Sequence, residues 1–274
     1  MRVAALQMVS GSDVSANLRA AGDLLAQAAS AGAELAILPE YFCLIGRADA
    51  DKLAIQEADG TGPIQDFLSA AAREHGMWVV GGTIPMSTGR TQAQQRVFNT
   101  SLAYGPQGQR VARYDKIHLF KYDNGRERYD ESEVLFPGDQ PVTFDLPSRD
   151  GHVWRVGMSV CYDLRFPELY RQYADAGAHL LLAPSAFTYT TGQDHWSLLL
   201  RARAVENLAF VAAAAQGGKH ETGRRTWGHA MLLDPWGEVL ALHEQDAGMA
   251  VAELSYERLL ECRKRLPALE HRVA

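Results

Sequence analysis

Three polar residues with complementary chemistry each stand just after an apparent strand. They are Glu40, Lys116 and Cys161, which follow the runs 35–38, 110–114 and 153–160. In open α/β sheets, ligands gather beyond the carboxyl ends of the strands. We therefore expect a carboxylate, an ammonium and a thiol to meet around one substrate atom.

A glutamate, a lysine and a cysteine are sufficient for amide hydrolysis without a histidine or a metal. The thiolate is the form that attacks carbon, and a free cysteine with a pKa of about 8.5 is mostly protonated at neutral pH. A carboxylate can take that proton, return it to a leaving amine, and later deprotonate the water that hydrolyses the thioester. An ammonium stabilises the thiolate and then the oxyanion.

Each of the three residues also has a plainer interpretation when taken alone. An isolated cysteine after a strand is usually a small core residue. A glutamate after a proline, or a lysine at a strand end, is usually solvated. Residue types and spacing therefore leave both interpretations open.

The elements that would position these residues alternate along the chain. Strand patterns over 2–9 and 34–38 enclose a helical pattern over 14–31, which predicts a βαβ unit. Further helices are predicted over 63–75, 167–176, 194–207 and 255–265. Further strands are predicted over 78–83, 96–104, 110–115, 153–160, 180–183, 209–215, 227–233, 238–242 and 249–254. The pattern has no linker or repeat, so we expect one α/β domain over residues 1–274.

Composition narrows the class of protein. Apolar residues make up 47% of the 274 residues and charged residues 22%, and the net charge of −6 argues against a general nucleic-acid binder. Residues 1–10 lack the apolar core of a signal peptide, and no apolar run is long enough to span a membrane. Three cysteines make a disulfide framework improbable. We expect a cytoplasmic protein.

The sequence motifs around the three residues resemble those of the nitrilase, or carbon–nitrogen hydrolase, superfamily. They are LPEYF around Glu40, YDKIHLF around Lys116 and CYDLRFPELYR from Cys161, in the family's order. The likeness runs from AALQM near the start to the closing helix. It implies an α/β fold, the four-layer α-β-β-α sandwich of the nitrilase type.

The resemblance also implies roles for individual residues. Glu40 is the expected general base, Lys116 the cationic stabiliser and Cys161 the nucleophile. A second active-site glutamate is expected shortly after the lysine motif, and Glu131 fits it better than Glu133 because it stands directly before a serine. Its implied role is to position Lys116 and the substrate.

A substrate-binding set follows from the same resemblance. It comprises Tyr162, Arg165, Ser185, Phe187 and Thr191. The backbone N–H of Tyr162 would help to hold the oxyanion, and Arg165 would support the cysteine loop and add charge near the thiol. No cofactor and no metal are implied. His118 and His229, which lack a ligand-like spacing, are interpreted as structural hydrogen-bonding residues.

Two further segments of the sequence indicate a branch of this family. The segments PSAFTYTTGQDHW and WGHAMLLDPWG look most like the branch that hydrolyses deaminated glutathione, through a thioester acyl-enzyme. An ω-amidase acting on 2-oxoglutaramate, or a nitrile hydrolase of the same superfamily, are the alternatives. Segment 121–128, KYDNGRER, follows neither amidase branch well.

The expected substrate is therefore a small 2-oxo acid amide that carries carboxylates. Because the chain is acidic overall, an anionic substrate requires a local positive site. Lys219, His220, Arg224 and Arg225 form a candidate cluster in the loop KHETGRR. The alternative is that this loop is simply solvated.

The sequence also bears on two other functions and on assembly. A non-catalytic binding protein on this scaffold would be expected to have lost a member of the trio, and none is lost. A papain-like enzyme would need a histidine directed at the thiol, and no local signature of that kind appears. The resemblance implies at least a homodimer, paired through the helix after Cys161 and the helix near 194–207. After Cys161, an apolar and aromatic face is offered by Phe166, Leu169, Tyr170 and Tyr173. The alternative is that this face packs on its own sheet.

Overall fold

The computed structural model describes residues 1–89, 96–125 and 128–273. The described residues form five α-helices, which are α1 (Val14–Ser30), α2 (Pro63–His75), α3 (Pro167–Asp175), α4 (Tyr189–Asn207) and α5 (Tyr256–Arg265). Short 3₁₀ turns span Asp49–Ile55, Glu131–Glu133 and Cys161–Arg165.

The strands of the described residues are β1 (Arg2–Met8), β2 (Leu35–Ile37), β3 (Trp78–Val80), β4 (Ile84–Ser87), β5 (Val97–Tyr104), β6 (Arg110–Asp115), β7 (Lys121–Asp123), β8 (Arg128–Asp130), β9 (Leu135–Phe136), β10 (Val142–Pro147), β11 (Val153–Met158), β12 (Leu180–Leu182), β13 (Phe210–Ala213), β14 (Ala215–Lys219), β15 (Arg225–Trp227), β16 (Ala230–Leu233), β17 (Val239–His243) and β18 (Gly248–Glu253).

These strands build two large sheets. The first has the order β15-β14-β1-β2-β3-β5-β4, and β18, β6 and β9 pair alongside it. Its central strands β14, β1, β2 and β3 are parallel. The second sheet has the order β10-β11-β12-β13-β16-β17, and β7 and β8 form a separate hairpin. The parallel strands direct their carboxyl ends to one edge, where the site residues follow.

The alternation of side chains along β1 explains how the layers stack. Val3 and Ala5 belong to a core shared with the second sheet, whereas Ala4 and Leu6 pack in a separate core with α1 and α2. Successive side chains of a strand point to opposite faces, so a sheet buried on both sides is apolar throughout. Helices α3 and α4 join the core of the second sheet. The predicted α-β-β-α sandwich is confirmed.

Most predicted elements are present, but two predicted strands are each divided between the sheets. Residues 209–215 contain all of β13 in the second sheet and the first residue of β14 in the first sheet. Residues 227–233 contain the end of β15 and then β16, separated by Gly228 and His229, whose φ angles are 76° and 62°. Left-handed backbone ends a strand, which explains the break at Gly228. The prediction of single strands over 209–215 and 227–233 was therefore wrong.

Three further differences concern single elements. Helix α4 begins at Tyr189, five residues before the predicted start, because the Thr188 hydroxyl caps it by accepting from the Thr191 N–H at 3.4 Å. Strands β4 and β7–β10 were not predicted. The structure describes Lys121–Gly125 and Arg128 of the divergent segment 121–128, whereas residues 126–127 lie outside the described residues.

The apolar face expected to form a dimer is largely occupied within the chain. Leu169, Tyr170 and Tyr173 are buried, and Tyr173 packs against Gly157 of β11. Phe166 stacks on His118 with the ring centroids 3.7 Å apart. The alternative, that this face packs on its own sheet, describes the molecule. In the described ranges, no helix is long and apolar enough to cross a membrane.

Candidate active site

The structure brings the three strand-end residues together at one edge of the sandwich. Glu40 follows β2, Lys116 follows β6 directly, and Cys161 opens the turn after β11. The Lys116 Nζ lies 2.9 Å from Glu40 Oε1. All three side chains are buried. A buried carboxylate and ammonium are stable only when they are paired and hydrogen-bonded, so their arrangement is held tightly.

The backbone at Cys161 is unusual. Its φ of 51° lies in the left-handed region, which a residue with a side chain rarely adopts. The Cys161 N–H donates to the carbonyl of Pro184 at 3.1 Å, which fixes the start of the turn Cys161–Arg165. Non-glycine residues held in this region concentrate at functional sites. The second residue of the turn is Tyr162, and the first N–H groups of a helical turn lack partners within it.

The carboxylate of Glu40 is held from three directions. Oε1 accepts from Asn99 Nδ2 and from Lys116, each at 2.9 Å, and Oε2 accepts from the Ala186 N–H at 2.9 Å. Sequence reasoning did not identify Asn99 or Ala186. Asn99 lies inside strand β5 without a motif around it, and Ala186 contributes only its backbone.

Glu131 occupies the other side of Lys116. Its two oxygens lie 2.9 and 2.8 Å from Lys116 Nζ. It also accepts from the Tyr41 hydroxyl and from the Phe120 N–H, each at 2.7 Å. Burial raises the pKa of Glu131, but Lys116 and the other donors lower it by more, so the net shift is downward. Glu131 is therefore an anion beside the ammonium.

Electrostatics set the protonation of the lysine and the thiol in opposite ways. Burial disfavours charge on Lys116, but Glu131 and Glu40 outweigh it and raise its pKa above the ordinary value. Burial is also the largest cause that raises the pKa of the Cys161 thiol, and the charge of Glu40 raises it further. Lys116 lowers that pKa without reversing the shift. The cluster thus holds a protonated lysine and a neutral thiol.

Asp163 fastens the lysine loop to the cysteine turn. Its carboxylate accepts from the N–H groups of Val160 and His118 at 2.9 and 3.0 Å, and from the Tyr114 hydroxyl at 2.6 Å. The His118 Nδ1 lies 2.7 Å from the same carboxylate. Asp163 is fully buried. His118 is therefore engaged in a structural contact.

A cleft opens beside Cys161. It is partly open to solvent and is lined by Phe120, Cys161, Tyr162, Arg165, Ala186, Phe187, Thr188 and Thr191. Four of the five predicted substrate-binding residues are therefore in its wall. The fifth, Ser185, does not line the cleft. Its hydroxyl instead donates to the Ala183 carbonyl at 2.9 Å.

Arg165 is the cation in this wall. Its guanidinium lies over the rings of Tyr162 and Phe187, 5.9 and 5.6 Å from their centroids. The terminal nitrogens of Arg165 lie 3.3 Å from His195 Nδ1. Aromatic rings and a guanidinium together favour a ligand with a carboxylate.

Other cysteines and histidines lie apart from the cleft. Cys43 is buried in the core with α1, where burial raises the pKa of its thiol to about 12. The His229 ring stacks on Trp227, and its Nδ1 lies 3.0 Å from the Trp227 carbonyl. The described part of the chain contains no group of histidine, cysteine, aspartate and glutamate side chains that would hold a metal ion.

Known proteins share both this sequence and this fold. The model of the family described as carbon–nitrogen hydrolase matches residues 2–264. Deaminated glutathione amidase of Synechocystis sp. is 39% identical over 272 residues, covering 98% of this chain and 97% of the relative. Omega-amidase NIT2 of Homo sapiens is 35% identical, covering 99% of this chain and 94% of the relative.

Solved structures agree with the sequence relatives. The C. elegans NitFhit protein superposes with a TM-score of 0.86 at 34% identity, and the match covers 99% of this chain but only 64% of that longer one. A mutant amidase from Nesterenkonia sp. AN1 superposes with a TM-score of 0.78 at 28% identity, covering 97% of this chain and 98% of that one. The latter is described as showing Michael addition of acrylamide at its active-site cysteine.

Proposed function

The chain belongs to the carbon–nitrogen hydrolase family, and from that membership we propose that it is an amidase for a carboxylate-bearing 2-oxo acid amide, with deaminated glutathione as the favoured substrate. The observation that carries the chemistry is the buried Glu40–Lys116–Glu131 cluster beside a neutral Cys161 thiol. The relatives named deaminated glutathione amidase support the substrate.

In the acylation step, Cys161 Sγ attacks the carbonyl carbon of the amide as Glu40 takes the thiol proton. A neutral thiol needs this base at the moment of attack, because the thiolate is the nucleophile. The carbonyl oxygen becomes an oxyanion, which Lys116 and the Tyr162 N–H stabilise. The C–N bond then breaks, Glu40 gives the proton to the leaving amine, and a thioester on Cys161 remains.

In the deacylation step, water replaces the amine. Glu40 takes a proton from the water, whose oxygen attacks the thioester carbon. The C–S bond breaks, the acid is released, and the proton returns to Cys161. Glu131 holds Lys116 through two contacts throughout, so the ammonium stays beside Glu40 while charge moves. Charges fixed before the reaction cost no reorganisation during it.

The cleft wall supports the expected substrate class. Arg165 lies over two aromatic rings, and we propose that it binds the carboxylate of the 2-oxo acid portion, with Phe187 and Thr191 beside it. Ser185 contributes to the shape of the segment behind Cys161 through its backbone, which pairs with Ala215.

An ω-amidase acting on 2-oxoglutaramate is the second candidate. It is favoured by the relative of that name, which is nearly as similar as the deaminated glutathione amidases. Both candidates share the acyl group and differ in the leaving group, which is a dipeptide amine in one and ammonia in the other. The catalytic cluster serves both.

The decisive comparison is kcat/KM on deaminated glutathione, 2-oxoglutaramate, glutamine and a simple aliphatic nitrile. We expect deaminated glutathione to exceed glutamine and the nitrile by at least about tenfold, because they lack the 2-oxo acid that Arg165 would bind. A clear preference for 2-oxoglutaramate would establish the ω-amidase instead. A preference for the nitrile would overturn the amidase assignment.

We propose two further properties of the molecule. A cytoplasmic location is supported by the three cysteines, which are all unpaired and buried, as in a reducing compartment. A homodimer is supported by α4, which exposes 67% of Leu198 and 45% of Val205. These residues stand seven positions apart and therefore share one face of the helix.

A further inference from the structure

Four basic residues lie in the segment from the end of β14 to the start of β15, and their environments differ. His220 is buried, its ring nitrogens lie 2.8 Å from the Ser10 carbonyl and 2.7 Å from the Thr226 hydroxyl, and burial lowers its pKa. Lys219 is exposed. The guanidinium of Arg225 lies 3.5 Å from the centre of the Tyr189 ring. The predicted four-residue cationic site is therefore not formed as a unit.

Arg224 is the exception in this loop. Its side chain is half-buried, and its guanidinium lies over the Tyr129 ring at 5.5 Å. Its Nε is buried and has no hydrogen-bond partner, and no ion pair to Arg224 is formed among the described residues. A buried donor without an acceptor is costly. Asp49, the acid nearby, is instead paired with Lys52 at 2.9 Å.

Four groups nonetheless act electrostatically on the guanidinium. They are Tyr41, Asp49, Tyr129 and Glu40. Burial opposes the charge of Arg224, but these groups raise its pKa, so the side chain stays a cation. It is therefore a charged guanidinium whose buried Nε has no hydrogen-bond partner among the described residues.

The loop is fastened directly to the cleft wall. Thr226 pairs with Thr188, and the Trp227 N–H donates to the Phe187 carbonyl at 3.0 Å. Tyr129, under the Arg224 guanidinium, packs on Phe120 with the centroids 5.8 Å apart. Phe187, Thr188 and Phe120 all line the cleft. A ligand that extends from the cleft along this wall would meet Arg224.

The two arginines have different neighbours. Arg165 belongs to the turn that Cys161 opens, where the acyl group remains as a thioester in the proposed mechanism. Arg224 interacts electrostatically with Glu40 and Tyr41, and Glu40 is the group proposed to return the proton to the leaving amine. The leaving amine is therefore the half of the substrate that we assign to Arg224.

We propose that Arg224 binds a carboxylate on the leaving amine and so selects amides of amino acids or dipeptides over simple amides. This inference rests on the proposed amidase function. A dipeptide in extended form reaches about 7 Å, so its carboxylate lies well away from the reacting carbonyl. A guanidinium fork binds a carboxylate through two parallel hydrogen bonds.

The test compares three amides that share the 2-oxoglutaryl group: deaminated glutathione, its C-terminal carboxamide, and 2-oxoglutaramate. Arg224→Gln should lower kcat/KM roughly 10- to 100-fold on deaminated glutathione, as expected for a charged hydrogen-bonded pair, and change it less than about twofold on the other two. Arg224→Lys should fall between. Arg225→Gln, which removes the same charge one residue away, is the matched control and should behave as wild type.

Two results would overturn the inference. One is an equal loss on all three amides, which would make Arg224 a support for Glu40. The other is no loss on deaminated glutathione. Wild-type protein that hydrolyses none of the three amides would instead contradict the proposed function. Binding of cysteinylglycine to Cys161→Ala protein then decides the inference alone, because it should weaken at least about tenfold in Arg224→Gln and stay unchanged in Arg225→Gln.

Discussion

At the residue scale, the central feature is a cysteine thiol that stays protonated. Burial and the Glu40 carboxylate both raise the pKa of the Cys161 thiol. The resting thiol is therefore neutral, and the carboxylate that raises its pKa is also the base proposed to remove its proton. A protonated thiol is a poor nucleophile until its proton is removed.

This arrangement predicts that Glu40→Gln will make the thiol more acidic while it removes turnover. The substitution deletes a negative charge and a hydrogen bond that raise the pKa of Cys161, and it leaves Lys116, which lowers that pKa. The alkylation rate of the Cys161 peptide by iodoacetamide, followed against pH by mass spectrometry, should therefore rise at a lower pH than in wild type. Amide turnover should be nearly abolished.

Glu133→Gln provides the matched control, because Glu133 is an exposed glutamate two residues from Glu131 and pairs with Arg128. It should leave both the alkylation profile and turnover unchanged. An alkylation midpoint in Glu40→Gln at or above the wild-type pH would show that Glu40 does not hold the thiol proton.

The sequence was informative about these residues for a physical reason. Glu40, Lys116 and Cys161 each stand at a strand end, and parallel strands end at one edge of a sheet, so their meeting was predictable. Asn99 and the Ala186 N–H hold Glu40 equally firmly. Neither was predictable, since an asparagine inside a strand and a backbone donor leave no pattern in the sequence.

At the element scale, the site depends on how separate segments are joined. Asp163 connects the strand end at Tyr114, the lysine loop at His118 and the cysteine turn at Val160. Two of its four contacts are backbone N–H groups. A backbone N–H has a fixed direction and can only donate. In this buried position, the Asp163 carboxylate is therefore the acceptor that these two groups require.

Asp163→Asn should therefore destabilise the protein and loosen the site. An asparagine presents one oxygen and one NH₂, so at least one of the N–H groups of Val160 and His118 loses its acceptor. We expect the free energy of unfolding to fall by on the order of 2 kcal/mol, measured by urea denaturation.

Asp145→Asn is the control for this change. Asp145 is exposed and pairs with Arg155 at 2.9 Å across β10 and β11, and a surface pair of this kind contributes less than about 1 kcal/mol. Equal losses in the two variants would mean that Asp163 is not the connection that the geometry indicates.

The elements themselves were predictable where periodicity was clear and not where the chain changes sheets. Helix α2 has the predicted bounds, and β5 and β6 lie where strands were predicted, over 96–104 and 110–115. The apolar run after α4 reads as one strand, yet β13 and β14 lie in different sheets. Strand periodicity describes which face a side chain occupies, and it contains no information about the sheet that accepts the strand.

At the scale of the whole molecule, the exposed face of α4 is the feature that the single chain leaves unexplained. Leu198, Arg201, Ala202 and Val205 recur at helical spacing and line a shallow groove. The face expected from the sequence, on α3, is buried in the chain itself. An exposed apolar helix face is typical of an interface between subunits.

We expect sedimentation velocity at micromolar concentration to give a dimer for wild-type protein and a monomer for Leu198→Glu, because a charge on this face would be buried without a partner. Val153→Glu changes an exposed apolar residue of β11 and should remain a dimer. A monomeric wild-type protein would contradict the proposed assembly, and a dimeric Leu198→Glu would place the interface elsewhere.

The account as a whole depends on a covalent intermediate on Cys161. Wild-type protein mixed with deaminated glutathione, quenched in acid during turnover and digested, should yield the Cys161 peptide carrying one 2-oxoglutaryl group. Cys161→Ala should show neither the adduct nor turnover, and Cys43→Ala should show both, because Cys43 lies in the core with α1. Substantial turnover by Cys161→Ala, or an adduct found on Cys43 instead, would contradict the central claim.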